Sequence, residues 1–163
     1  MLILVSGLPG SGKSTFSSAL SAKLDCLHYN SDTMRRSMGL MGRYDTFSKL
    51  KVYQALVEQT QYGLKSSCVI VDSTFYLAAV RNSFYNLAFM EDVHLFIFSI
   101  TADEDVIKER TSRKREDSEA DFAVYKKIKS EFEIIKKGFL QLRSDKLTVD
   151  EMVAIASHYM NLR

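Results

Sequence analysis

Gly7-Leu8-Pro9-Gly10-Ser11-Gly12-Lys13-Ser14 is a complete G-x-x-x-x-G-K-[ST] loop, and its flanks decide the fold. An apolar run, Leu2-Ile3-Leu4-Val5, delivers the chain to it. A helical stripe of Phe16, Ala19, Leu20 and Leu24 carries the chain away. Strand, glycine turn and helix, in that order, are the parts of a phosphate cradle. The glycines bare backbone N–H groups, and the positive end of the helix faces the anion. Gly7, Gly10 and Gly12 are three of the seven glycines in the chain, placed where a side chain would hold the backbone off the phosphates. The stretch Gly7, Leu8, Pro9, Gly10, Ser11, Gly12, Lys13, Ser14 and Thr15 is therefore expected to bind a nucleoside triphosphate. Lys13 is expected to reach the β- and γ-phosphates, the Ser14 hydroxyl to ligate Mg²⁺, and Thr15 to stand by the α-phosphate.

Outward from the loop, apolar runs at Leu2–Ser6, Leu27–Asn30, 69–72 and 93–100 read as buried parallel strands. Helical stripes lie between them. Leu50, Tyr53, Val57 and Leu64 trace a loose one that stops near Gly63, and Leu77, Val80, Phe84 and Leu87 a tighter one. Strands alternating with helices at this spacing predict a parallel sheet covered on both faces. Tyr125, Ile128, Phe132 and Ile135 predict the longest helix, from about 118 to 137, opened by Ser118 and Asp121 and stopped by Lys136, Lys137 and Gly138. Residues 139–143 then read either as a fifth strand or as a continuation of that stripe through Phe139 and Leu142. Thr148-x-x-Glu151 has capping-box spacing and opens a C-terminal helix.

The chain has 163 residues, a length that suits one domain, 1–163, with its own core. No apolar run approaches the roughly 20 residues that span a bilayer. The loop-bearing strand begins at the N-terminus, which leaves no room for a signal peptide, so the expected location is cytoplasmic. Net charge is 22 − 20 = +2, which argues neither for nor against a nucleic-acid partner. Cys26 and Cys68 lack metal-ligand spacing and read as buried free thiols. His28, His94 and His158 are scattered and read as structural.

Two carboxylates stand out. Asp72 closes the run Cys68-Val69-Ile70-Val71, and the carboxyl end of a strand is where parallel α/β proteins place their chemistry. There it supports Mg²⁺ or orients an acceptor; the plainer reading is a cap for the helix that follows. Asp32 and Arg35 are three apart in Asn30-Ser31-Asp32-Thr33-Met34-Arg35-Arg36, so a helix start points both the same way. The carboxylate suits a general base and the guanidinium an anion clamp, unless Asp32 merely caps the helix.

Gly-Leu-Pro-Gly-Ser-Gly-Lys-Ser-Thr, Asn30-Ser-Asp32-x-x-Arg35 and Val-Ile-Val-Asp72-Ser-Thr together resemble the P-loop kinases grouped with polynucleotide 5′-hydroxyl kinases, an AAA-type ATP-binding domain, over nearly the whole chain. The resemblance implies a three-layer α/β sandwich with a five-stranded parallel sheet of order 2-3-1-4-5. It implies Asp32 as the base, Arg35 as the binder of the acceptor phosphate, and an arginine-bearing mobile lid at about 110–118. Lid arginines neutralise the charge that develops on the transferring phosphate. Arg110 and Arg113 match the family spacing of two lid arginines, with Arg115 left over.

Arg35, Arg36, Arg43, Lys49 and Lys51 concentrate positive charge on the acceptor side, with Met34, Met38 and Met41 among them. A nucleic-acid strand and a phosphorylated metabolite suit that composition equally. The expected function is an ATP- and Mg²⁺-dependent kinase acting on a hydroxyl. The acceptor is a polynucleotide 5′-hydroxyl by resemblance, with a small metabolite or the hydroxyl of an aminoacyl-tRNA as alternatives. A module that binds ATP without transferring phosphate is the reading from another class. It would need neither Asp32 nor the lid arginines.

Overall fold

A computed structural model describes residues 1–112, 122–136 and 138–161. The strands are β1 (Leu2–Ser6), β2 (Leu27–Asn30), β3 (Val69–Ser73), β4 (Leu95–Thr101) and β5 (Leu140–Arg143). The helices are α1 (Lys13–Leu24), α2 (Ser31–Ser37), α3 (Thr46–Leu64), α4 (Ala78–Met90), α5 (Glu104–Ser112), α6 (Phe122–Ser130) and α7 (Val149–Asn161). The strands form one sheet in the order β2-β3-β1-β4-β5, and every pairing is parallel. This is the α/β class and strand order that the family resemblance implies.

β1 shows why the sheet is buried on both faces. Ile3 and Val5 pack with Phe16, Leu20, Phe98 and Met152 on the α1 and α7 side. Leu2 and Leu4, one residue out of step, pack with Val52, Leu56, Phe75 and Phe84 on the α3 and α4 side. A period of two with apolar residues at both phases yields an unbroken apolar run.

The fifth strand is present, but the long helix is not. α6 ends at Ser130, and residues 131–136 cross the molecule without helical structure. Ile135 is buried with the α3 and α4 cluster, and Phe132 packs against it. The Glu133 N–H donates to the Tyr76 carbonyl at 2.9 Å. The apolar steps that suggested helix are thus met by an irregular segment laid over the core. Gly138, at φ 73°, turns the chain into β5 rather than ending a helix. The proposed helix start at Ser118 and Asp121 lies outside the described residues.

The cysteines also differ from expectation: Cys26 and Cys68 form a disulfide. Register is the reason. Leu27 pairs with Val69, so the residue preceding each strand stands beside the other. A separation of 42 residues conceals that adjacency in the sequence. The C-terminal capping box forms as expected, with Glu151 accepting from the Thr148 N–H at 2.8 Å and Thr148 Oγ1 accepting from the Glu151 N–H at 3.3 Å. No helix among the described residues is long and apolar enough to cross a membrane.

Candidate active site

The glycine loop leaves β1 and enters α1 at Gly12, which caps the helix with φ 89° and no side-chain hydrogen bond. The first turn of α1 holds no acidic residue. Its orphan N–H groups and positive dipole end are therefore left for an anion. Close packing on the far side explains the glycines. A Cβ at Gly7 would come within 2.7 Å of the Ile100 carbonyl, and one at Gly10, where φ is 79°, within 2.9 Å of Thr111 Cγ2. Behind the loop, Arg110 Nη1 donates to Ser144 Oγ at 2.8 Å and to the Gly10 carbonyl at 3.3 Å. Ser144 Oγ in turn donates to the Ser11 carbonyl at 2.6 Å. Arg110 thus braces the loop from α5 and the turn after β5, while Arg113 and Arg115 lie outside the described residues.

The strand ends bring the next groups level. Asn30 on β2 pairs in register with Asp72 on β3, which pairs with Val5 on β1 just before the loop. Asn30 Nδ2 donates to Asp72 Oδ2 at 2.7 Å and to Ser14 Oγ at 3.4 Å. His28 lies two residues before Asn30 on β2, and its Nε2 stands 3.6 Å from Asp72 Oδ2. Burial by itself would raise the Asp72 carboxyl. The imidazole of His28, the charge of Lys13 and the Ser14 and Asn30 side chains outweigh it, and the net shift is downward. Asp72 is fully buried, and its Oδ1 has no hydrogen-bond partner among the described residues. A buried, ionised oxygen left open beside the Ser14 hydroxyl fits a divalent cation. No group of three or more His, Cys, Asp or Glu that would hold a metal occurs among the described residues.

Another wall of the site is built on α2. Asn30 is its N-cap: Asn30 Oδ1 accepts from the Asp32 N–H at 2.8 Å and the Thr33 N–H at 3.1 Å. The N-cap is therefore Asn30 rather than Asp32. Asp32 lines a cavity of about 1010 Å³ that also takes in Gly10, Gly12, Lys13, Ser14 and Thr15. Arg35 lines it too, but its guanidinium is largely buried, donating to the Arg43 carbonyl and lying 4.6 Å from the Tyr44 ring centroid. Tyr53 Oη is 3.0 Å from Ser73 Oγ, and Lys49 Nζ donates to Tyr76 Oη at 3.0 Å. Val124, Lys127, Ile128 and Glu131 bring α6 and the residue after it to the same cavity.

The cavity thus joins the phosphate loop to Asp32 and Arg35, with Asp72 beneath it. Sequence reasoning placed Lys49 in the acceptor-side cluster of positive charge, but it missed Asn30, His28, Tyr53, Tyr76 and the α6 wall as parts of the site. A signal existed for His28 and Asn30, which stand two apart and so share one face of β2. None existed for the others, which meet only across the fold.

The family model described as "AAA domain" matches residues 2–135, and the chain belongs to that family. A gluconokinase from Sinorhizobium meliloti 1021 superposes with a TM-score of 0.72 at 17% identity, over 98% of this chain and 94% of that one. The Mycobacterium tuberculosis APS kinase CysC, in complex with AMPPNP and APS, gives 0.75 at 15% identity, over 98% and 96%. Kti12 from Chaetomium thermophilum, in complex with ADP-AlF3, gives 0.76 at 21% identity, over 98% and 97%. At these identities the likeness is one of fold, and it is shared with small-metabolite kinases. Nothing in it singles out the polynucleotide kinases.

Proposed function

We propose, on the premise of that family membership, that the chain is an ATP-dependent kinase transferring the γ-phosphate to a hydroxyl. The observation that carries the proposal is that Asp32 lines the same cavity as Lys13 and Ser14. Asp32 accepts the hydroxyl proton as the acceptor oxygen bonds to the γ-phosphorus and the bond to the β-phosphate oxygen breaks, releasing ADP. The backbone of residues 7–15 and Lys13 hold the phosphates. Ser14 and Asp72 would hold Mg²⁺, which when bound neutralises charge on the β- and γ-oxygens. Arg35 steadies the acceptor, and an arginine of the lid, Arg110 or Arg113, supplies further positive charge.

The acceptor proposed first is the 5′-hydroxyl end of a polynucleotide. It is supported by the rim of the cavity, where Tyr44, which lines it, and Phe47 are exposed and Lys51 Nζ lies 4.5 Å from the Phe47 ring centroid. Exposed rings among cations suit stacked bases and phosphates. A small metabolite is the second reading, favoured by the fold shared with gluconokinase and APS kinase. The test is transfer of labelled γ-phosphate to 5′-hydroxyl RNA, 5′-hydroxyl DNA and a metabolite pool. Label on an oligonucleotide that is lost in both Asp32→Ala and Lys13→Ala supports the first reading; label in the pool alone supports the second. ATP binding with no transfer to any acceptor would overturn the kinase proposal.

A further inference from the structure

Lys49 on α3 is half-buried and lines the cavity, yet the kinase reading gives it no task. Its ammonium donates to Tyr76 Oη at 3.0 Å and stands 5.5 Å from the Tyr76 ring centroid. Tyr76 is itself buried and anchored from behind, its carbonyl accepting the Glu133 N–H. Among the described residues no carboxylate lies within 4.0 Å of Lys49 Nζ. A tyrosine hydroxyl takes one of three ammonium protons and supplies no countercharge. At the cavity wall the other ammonium protons are left for a ligand, with no carboxylate in ion-pair contact to compete with an anion for them. Arg35, a buried cation of this half, is likewise held by a carbonyl and a tyrosine ring. The ATP phosphates are the business of the loop after β1. Lys49 instead belongs to the α2, α3 and β3 side, with the acceptor.

We propose that Lys49, steadied by Tyr76, is an anion subsite for the acceptor. The hydroxyl compound carries a phosphate, sulfate or carboxylate group that Lys49 grips while its hydroxyl reaches Asp32. This deepens the kinase reading and rests on it. The anion has two sources, an internucleotide phosphate next to a 5′-hydroxyl end or the acidic group of a small metabolite.

The probe is inorganic sulfate, titrated onto protein saturated with AMPPNP and Mg²⁺ so that the phosphate loop is already filled. The readout is the NMR signal of the Tyr76 ring. A saturable shift is expected in wild type and in Lys23→Met, retained in Lys49→Arg, and weakened about tenfold or more in Lys49→Met, as loss of a charge-assisted contact implies. No saturable shift in wild type, or one that survives Lys49→Met, overturns the subsite. Transfer assays then separate the sources. Lys49→Met is expected to raise KM about tenfold with kcat nearly unchanged, for a 5′-hydroxyl dinucleotide if the source is a polynucleotide and for gluconate if it is a sugar acid. Failure of the kinase reading has a different signature: no transfer by wild type while the sulfate shift at Tyr76 persists.

Discussion

The two halves of the cavity are built from different materials. On the glycine-loop side the structure is backbone: glycines at positive φ, a helix end without a side-chain cap, and packing so close that a Cβ at Gly7 or Gly10 would collide. On the α2 and α3 side it is side chains: Asp32, Arg35, Lys49, Tyr53 and Tyr76, hung on a seven-residue helix, on α3 and on the loop after β3. On the kinase reading proposed above, backbone N–H groups would read the triphosphate and side chains the acceptor. The first half is one contiguous motif; of the second, only Asn30-Ser-Asp32-x-x-Arg35 is contiguous.

The largest expected effect tests whether the halves do separate work. Lys13→Ala should lower transfer about 10²–10³-fold with every acceptor, by removing a charge that meets the transferring phosphate. Asp32→Asn should lower it about 10²–10⁴-fold while leaving ATP affinity as it was. Calorimetric titration with AMPPNP distinguishes them. A loss of nucleotide binding in Asp32→Asn would break the division.

Next in size is the Cys26–Cys68 staple, which ties the edge strand of the acceptor side to β3. A closed loop of this length should add about 2–4 kcal/mol. Reductant should lower the unfolding free energy of wild type by that amount, read as a lower urea midpoint, and leave the Cys26→Ser/Cys68→Ser double variant unmoved. Equal midpoints for wild type with and without reductant would restore the free thiols that the sequence suggests.

Asp72 lies on the seam, bonded to Asn30 of β2 and facing the charge of Lys13. Asp72→Asn should weaken apparent Mg²⁺ affinity about 10–100-fold, read from the Mg²⁺ dependence of transfer. Its pH signature has a fixed sign. The folded carboxyl lies below its ordinary value of 3.8, so its share of stability is complete above that value and is lost as pH falls through the lowered one. Asp72→Asn has no such group to protonate. Its stability difference from wild type should therefore shift in the variant's favour on acidification below about pH 4, measured by urea unfolding. A constant difference would mean that the carboxyl is not depressed.

What was legible follows the same division. Residues 7–15, the strand runs and the capping box at Thr148 and Glu151 are local signals, and each predicts its own structure. Asp32 and Arg35 were visible because they are three apart; that Arg35 would lie buried under Tyr44 was not, since it depends on the turn between α2 and α3. Phe132 and Ile135 misled because burial at helical spacing needs only apolar atoms at the right places, and residues 131–136 supply them without a helix. Cys26 with Cys68, and Lys49 with Tyr76, are products of register and packing between distant segments. One sequence carries no pattern for either.

The smallest effect makes the finest test of the division. Tyr53 lies on α3, lines the cavity and shares a hydrogen bond with Ser73 at the end of β3. Burial pushes its phenol above the ordinary value, and the Ser73 and Thr74 side chains offset only part of that, so it stays a neutral hydroxyl at any working pH. Tyr53→Phe keeps the ring and removes only the hydroxyl. Ser73 Oγ then loses this partner inside a fully buried strand end, a loss of about 1 kcal/mol in unfolding free energy. If acceptor recognition belongs to this wall, KM for the acceptor should rise a few-fold while KM for ATP stays the same. A matched rise in both would mean that α3 positions the end of β3, and through Asp72 the donor site, so that the halves share one framework of strand ends rather than standing apart.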